Sequence, residues 1–285
     1  MKKQKLVNAI VPYFGANRLL AESVGKALAG CSWVGVPFAG SMAELQYIEA
    51  RSLVVSDLHR DVIRLARIIA NPSRCRTLIR VLKRTPFHPE SLDDAQQRCR
   101  TGKGNAIDFF VTQWMGRSGN AGTEKEFEGN LSTRWNGNGG DSNTRYRSAV
   151  RSLVYWHRIM RRCNFHVMDA FEFVAKCNDT PDTGIYCDPP WPGDGDEYRH
   201  KFTEQQQRDL ADELGGFEQA RIVVRYGDHP LIRALYKAPQ WTWHEQTSRT
   251  QGNNGKAEVL IVRCEPAKRK ITRPRNSDAQ GGLFE

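Results

Sequence analysis

At 285 residues, with a formal net charge of +10 and 39% hydrophobic residues, the chain can hold one elaborated domain or two small ones and needs no disulfide to keep a core. Its seven cysteines are scattered and form no Cys-x-x-Cys pair, which argues against a zinc knuckle or a redox pair and fits a reducing, cytoplasmic location; no metal is expected. No segment is long and apolar enough for a membrane span or a signal sequence, so the basic charge points to a polyanionic partner, nucleic acid before membrane.

Residues 18–29 alternate as an amphipathic helix, with Leu19, Leu20, Val24 and Leu28 on one side. Trp33 to Phe38 reads as a strand, broken by Pro37, that runs into Ala39-Gly40-Ser41. A helix through Ala43 to Ala50 is expected next. Leu53 to Ser56 is a second buried strand ending in Asp57, and Asp61 to Ile69 is helical. Strand, small-residue loop, helix, strand and acid is the order of a nucleotide-binding α/β half.

Residues 72–115 read as helices of mixed polarity. From 116 to 146 the composition turns to Gly, Asn, Ser, Thr and Arg, with almost no aliphatic residues. A linker is the default reading, yet the stretch is long for a structureless loop, and such loops are usually functional or disordered. Its Arg117, Lys125, Arg134, Trp135, Arg145 and Arg147 suit a nucleic-acid contact surface. A helix resumes near 147, and Phe165 to Met168 reads as a strand ending at Asp169. Further strands are expected at 184–187, 221–226, 242–247 and 257–263, with helices at 204–214 and 231–236. After Pro266 the chain is basic and polar, the composition of a disordered tail.

The strand at 184–187 runs into Tyr186-Cys187-Asp188-Pro189-Pro190-Trp191. Proline cannot donate to a sheet ladder, so the strand stops there. Asp188, the Pro189 carbonyl and the Trp191 ring are thereby set at the carboxyl end of a strand, where open α/β sheets bind ligands. A carboxylate and a carbonyl can accept hydrogen bonds from an exocyclic amine while the aromatic stacks on its base, which suits methylation of that amine. Cys187 has no activating His beside it and reads as a packing residue.

In this order the motifs resemble the Dam-type DNA adenine methyltransferases. The resemblance covers most of residues 8–266. It rests on Pro12-Tyr13-Phe14-Gly15-Ala16-Asn17, Pro37-Phe38-Ala39-Gly40-Ser41, Ser56-Asp57-Leu58, Met168-Asp169-Ala170-Phe171, the Asp188 to Trp191 motif and Phe202-Thr203-Glu204-Gln205-Gln206. It implies a Rossmann-like α/β sheet with helices on both faces, S-adenosylmethionine as cofactor, and methyl transfer to the 6-amino group of a flipped adenine in DNA. The catalytic domain would span 1–71 and 147–266, around a target-recognition insert at 72–146, with a basic tail at 267–285.

By the same resemblance, Tyr13, Phe14, Gly15 and Asn17, with Pro37, Phe38, Ala39, Gly40 and Ser41, would surround the methionine half of the cofactor. Asp57, with Leu58, would take its ribose, and Asp169, with Ala170, its adenine. Either acid could instead cap a helix. Asp188, Pro189, Pro190 and Trp191 would hold the target adenine.

The chain also departs from the pattern. Asn17 stands where the family usually has Lys, Val36 where it has an acid, and Met42 where it has a second Gly. A cation and an anion are thus lost from the methionine end; Arg18 could replace the cation. Arg117-Ser118-Gly119 stands where an aromatic, Asn and Gly are usual, so the family's common recognition sequence does not carry over. Other substrates remain open (RNA adenine, the 4-amino group of cytosine), as does a DNA-binding protein on a degenerate scaffold. Finally, Gln280, Leu283 and Phe284 resemble the peptide that bacterial replication proteins insert into the sliding clamp.

Overall fold

The computed structural model describes residues 7–15, 20–117, 121–136, 140–193, 198–247 and 257–264. Its centre is a mixed sheet of β1 (Trp33–Val36), β2 (Ser52–Ser56), β3 (Cys163–His166), β4 (Thr183–Cys187), β5 (Arg221–Gly227), β6 (Thr242–Thr247) and β7 (Ala257–Arg263). The order across the sheet is β3-β2-β1-β4-β5-β7-β6. The strands from β3 to β5 are parallel, and β7 inserts antiparallel between β5 and β6. The order reverses between β1 and β4, so the loops leaving their carboxyl ends diverge and open a crevice.

The central parallel strands β1, β4 and β5 are largely apolar because both faces are covered, while the edge strand β3 exposes Asn164 and His166. Along β4 and β5, side chains alternate between two cores. Tyr186 and Val223 join one, packed with the helices α2 (Arg60–Ala70), α3 (Pro72–Arg84), α5 (Ala106–Met115) and α6 (Ser142–Met160). Ile185, Cys187, Ile222 and Val224 join the other, packed with α8 (Glu204–Gly215) and α9 (Pro230–Leu235). Between α3 and α5 lies α4 (Pro89–Arg100), whose Leu92 and Ala95 belong to the first core.

The helix starts follow side-chain chemistry. Asn71 accepts from the Ser73 and Arg74 amides ahead of α3, with Pro72 in the first turn. Asn105 with Asp108 and Thr203 with Gln206 form reciprocal capping boxes on α5 and α8.

Four expectations are corrected. The helix expected over 18–29 is, in the described residues, a shorter α1 (Ala21–Ala27); Leu19 lies outside the described residues. The helix expected over 43–50 is one turn of 3-10 helix, Ala43–Gln46, after Met42 at φ 58°. Gly25 of α1 approaches this turn so closely that an added Cβ would lie 2.4 Å from the Tyr47 carbonyl oxygen. β3 ends at His166 rather than Met168, because its partner β2 ends at Ser56; beyond it the Ser56 hydroxyl accepts from the Met168 amide at 3.2 Å and donates to the Met168 carbonyl at 3.1 Å. α6 begins at Ser142, five residues earlier than expected, because Asp141 accepts from the Thr144 amide at 2.7 Å and caps it.

The stretch 116–146 is also more ordered than its composition suggests. Ala121, Thr123 and Glu126 are buried, and Tyr13 bridges to Ala121 while Thr123 bridges to Tyr198. Among the described residues, no helix is long and apolar enough to cross a membrane.

Candidate functional site

A cleft enclosing about 900 Å³, counting space open to solvent, lies at the crevice between the β1 and β4 loops. Tyr13, Phe14, Gly15, Pro37, Phe38, Ala39, Gly40, Ser41, Asp57, Leu58, Asp169 and Ala170 all line it, as do Asp188 and Pro190. Pro189 is buried, and Trp191 is half-buried with its ring over Gly227 and 4.9 Å from the Arg225 guanidinium carbon. Asn17, Arg18, Ser118, Gln280, Leu283 and Phe284 lie outside the described residues.

Asp57 organises the first wall. One carboxylate oxygen accepts from the Gly40 amide and the other from the His59 amide, both at 2.8 Å. The acid thereby ties the loop after β1 to the end of β2, and each oxygen keeps a second lone pair for a ligand hydroxyl. His59, not Asp57, caps α2. Its Nε2 lies 2.9 Å from Glu126, so the tautomer protonated at Nε2 donates there while Nδ1 accepts from the Val62 amide. This buried pair joins the 116–146 segment to the cleft wall.

Asp169 caps the short helix α7 (Ala170–Val174), accepting from the Phe171 amide at 2.8 Å. The capping alternative therefore holds for Asp169, which nonetheless faces the cleft. Nearby, Phe202 stacks on Phe171 at 6.0 Å and meets Phe38 edge-on at 5.8 Å. Phe38 and Phe202 give the cleft an apolar aromatic wall.

Asp188 is held from behind. Its Oδ2 accepts from Arg225 Nη1 at 2.8 Å and from the Tyr186 hydroxyl at 3.3 Å. Burial pushes the Asp188 carboxyl up from its ordinary range, while Arg225 pulls against the rise. Arg225 is 3% exposed; it also donates to Glu258 at 2.9 Å and to the Gly15 carbonyl at 2.8 Å. One guanidinium thus spans Asp188, the loop that holds Gly15 and the antiparallel edge of the sheet. The turn after Asp188 is braced as well: Gln207 donates to the Pro190 carbonyl at 2.7 Å, and the Tyr226 hydroxyl donates to Gln207. Cys187 is fully buried and burial raises its thiol far above the ordinary range, so it is no nucleophile.

Sequence reading missed Arg225, Glu258 and Glu44 as parts of this site. A signal existed for Arg225. It is a charge inside an apolar strand, and Val224 pairs with Cys187, which sets Arg225 level with Asp188. Glu44 lines the cleft at 3% exposure, and its Oε1 has no hydrogen-bond partner among the described residues.

The basic residues expected to meet nucleic acid are spread over the surface. Arg117, Lys125 and Arg134 are exposed, and Trp135 is 93% exposed. Arg145 and Arg147 lie on α6 instead. Arg145 sits over the Trp114 ring at 5.3 Å, and Arg147 donates to the Lys83 carbonyl at 2.8 Å. Among the described residues no cluster of His, Cys, Asp and Glu could hold a metal ion.

No protein-family pattern matches the chain, and no curated protein matches it. Several solved structures resemble it remotely. Cofactor-bound Rv0187 from MTB shares 6% identity over 90% of this chain and 84% of its own, with a TM-score of 0.40. The putative methyltransferase yhhF from Escherichia coli shares 11% identity over 86% of this chain and 83% of its own, with a TM-score of 0.34. At such identities and scores, neither says anything about the residues of the cleft.

Proposed function

We propose that the chain is an S-adenosylmethionine-dependent methyltransferase acting on the 6-amino group of an adenine flipped out of DNA. The observation that carries this reading is the meeting, in one cleft, of Asp188 and Pro190 with the Pro37–Ser41 loop, Asp57 and Asp169. The cleft's chemistry fits the cofactor. It offers lone pairs on Asp57 for hydroxyls, aromatic and aliphatic walls at Phe38, Phe202 and Leu58 for a base, and a buried unpartnered carboxyl oxygen on Glu44. When bound, S-adenosylmethionine supplies a methyl group already activated by a sulfonium.

What remains for the protein is placement and polarisation. Arg225 and Tyr186 occupy Asp188 Oδ2 and fix the carboxylate, so that Oδ1 would accept a hydrogen bond from the target amine. Gln207 holds the Pro190 carbonyl, and the neighbouring Pro189 carbonyl would be the backbone acceptor for that amine. The two acceptors would draw the amine lone pair out of conjugation, and Asp188 would receive the proton lost on methylation. The adenine must leave the helix stack to reach this depth. The exposed Arg117, Lys125 and Arg134 would bind phosphates along the backbone.

The test is transfer of a labelled methyl group from S-adenosylmethionine to unmethylated genomic DNA and, separately, to RNA, followed by single-molecule mapping of modified bases. Label in DNA at adenine supports the reading. Label in RNA alone, or at cytosine alone, changes the substrate and keeps the chemistry. Absence of label with intact DNA binding makes the chain a DNA-binding protein on a methyltransferase-like scaffold.

A further inference from the structure

Glu44 is a buried acid with unfinished hydrogen bonding. It follows the Pro37–Ser41 loop by three residues, in the 3-10 turn that Met42 begins, and lines the cleft beside that loop. Its residue is 3% exposed, and Oε1 meets no donor among the described residues. An unpaired buried carboxyl oxygen costs free energy, and a cationic donor arriving in the cleft would remove that cost.

We propose that Glu44 receives the ammonium group of the cofactor's amino-acid end. This rests on the cofactor reading above. The charges facing Glu44 are Asp188 at the end of β4 and Arg225 on β5, the latter tied to Glu258 of β7. On α1, which packs against the turn, Glu22 and Lys26 form an exposed pair with each other. Burial pushes the Glu44 carboxyl up to about 8, with Asp188 adding to the rise and Arg225 opposing it. The carboxyl is therefore mostly protonated at pH 7 before the ligand arrives. An ammonium at hydrogen-bond distance favours the carboxylate, so binding expels this proton. The ligand's own α-amino group, with an ordinary pKa of about 7.7–8.0, stays largely charged at pH 7.

Titration calorimetry on the full chain tests this with three probes: S-adenosylmethionine, S-adenosylhomocysteine, which keeps the ammonium and has no sulfonium charge, and 5′-methylthioadenosine, which lacks the amino-acid end. Glu44→Gln should weaken the first two by about ten- to a hundred-fold, the loss of one charge-assisted hydrogen bond, and leave the third unchanged. Glu44→Asp, which keeps the charge, should bind more tightly than Glu44→Gln. At pH 7 the heat of S-adenosylhomocysteine binding to the unsubstituted protein should vary with the buffer's ionisation heat, reporting a released proton, and the dependence should vanish in Glu44→Gln. Unchanged affinity, or an equal loss for all three probes, overturns the assignment to Glu44 while the cofactor reading stands. If the unsubstituted protein binds none of the probes, the cofactor reading fails and the assignment falls with it.

Discussion

Arg225 reaches Asp188 at 2.8 Å and Glu258 at 2.9 Å from a position almost wholly out of water. Removing the cation would leave two buried carboxylates facing each other. Arg225→Met should therefore destabilise the fold by about 3–5 kcal/mol, read as a lower urea midpoint at unchanged slope. Arg225→Lys should recover only part of this, because a single ammonium cannot serve both acids and the Gly15 carbonyl in one plane. A midpoint for Arg225→Met equal to that of the parent chain would mean the three groups are not coupled.

Asp188→Ala should reduce methyl transfer by roughly a hundred- to a thousand-fold, the equivalent of about 3–4 kcal/mol of lost polarisation in a dry site. Cofactor affinity should change far less, since the carboxylate is assigned to the target amine. Single-turnover kinetics alongside calorimetry separates the two. More than a tenth of the parent rate would take Asp188 out of the mechanism.

Asp57→Ala should show the opposite split. Loss of the bonds to the Gly40 and His59 amides loosens the loop after β1 as well as removing lone pairs for the ribose. Apparent cofactor affinity should fall by about ten-fold or more, with a smaller effect on rate at saturating S-adenosylmethionine. An unaltered dissociation constant contradicts the role.

Replacing Arg117 and Arg134 together by Ala should weaken DNA binding and flatten its dependence on salt. The slope of log affinity against log salt should fall by about one unit for each phosphate no longer neutralised. Arg147→Ala should behave differently. Its guanidinium is engaged on the Lys83 carbonyl at the end of α3, so the change should cost about 1 kcal/mol of stability and leave the salt slope alone. The same slope for all three proteins would return the 116–146 segment to the role of a linker.

These residues also mark where sequence reading succeeds. β4 to β7 could be placed within a residue or so because β4 and β5 are apolar runs that end at Asp188 and Gly227, while β6 and β7 flank the Gly252-Asn253-Asn254-Gly255 stretch. That Pro37–Ser41, Asp57 and Asp169 would gather at one cleft was legible because short loops at the ends of strands carry them. What failed depends on distant partners. Nothing near Met42 shows that its backbone turns left-handed, or that Gly25 closes on Tyr47 and leaves no room for a longer helix. Glu126 looks like a solvated acid in a polar stretch, yet its partner His59 lies 67 residues away. Glu44 reads as an ordinary polar position between Ala43 and Leu45, and only burial beside the cleft gives it meaning.

The central claim is that Asp188, braced by Arg225, turns this cleft into a site for methylating an adenine amine. Its most direct measurement is mass spectrometry of nucleosides from unmethylated DNA incubated with S-adenosylmethionine and either the parent chain or Asp188→Ala. The account predicts N6-methyladenine with the parent chain and a hundred-fold or greater reduction with the variant, about the loss expected for one polarising group. N6-methyladenine formed equally by both, or no methylated adenine from a parent chain that binds cofactor and DNA, would contradict it.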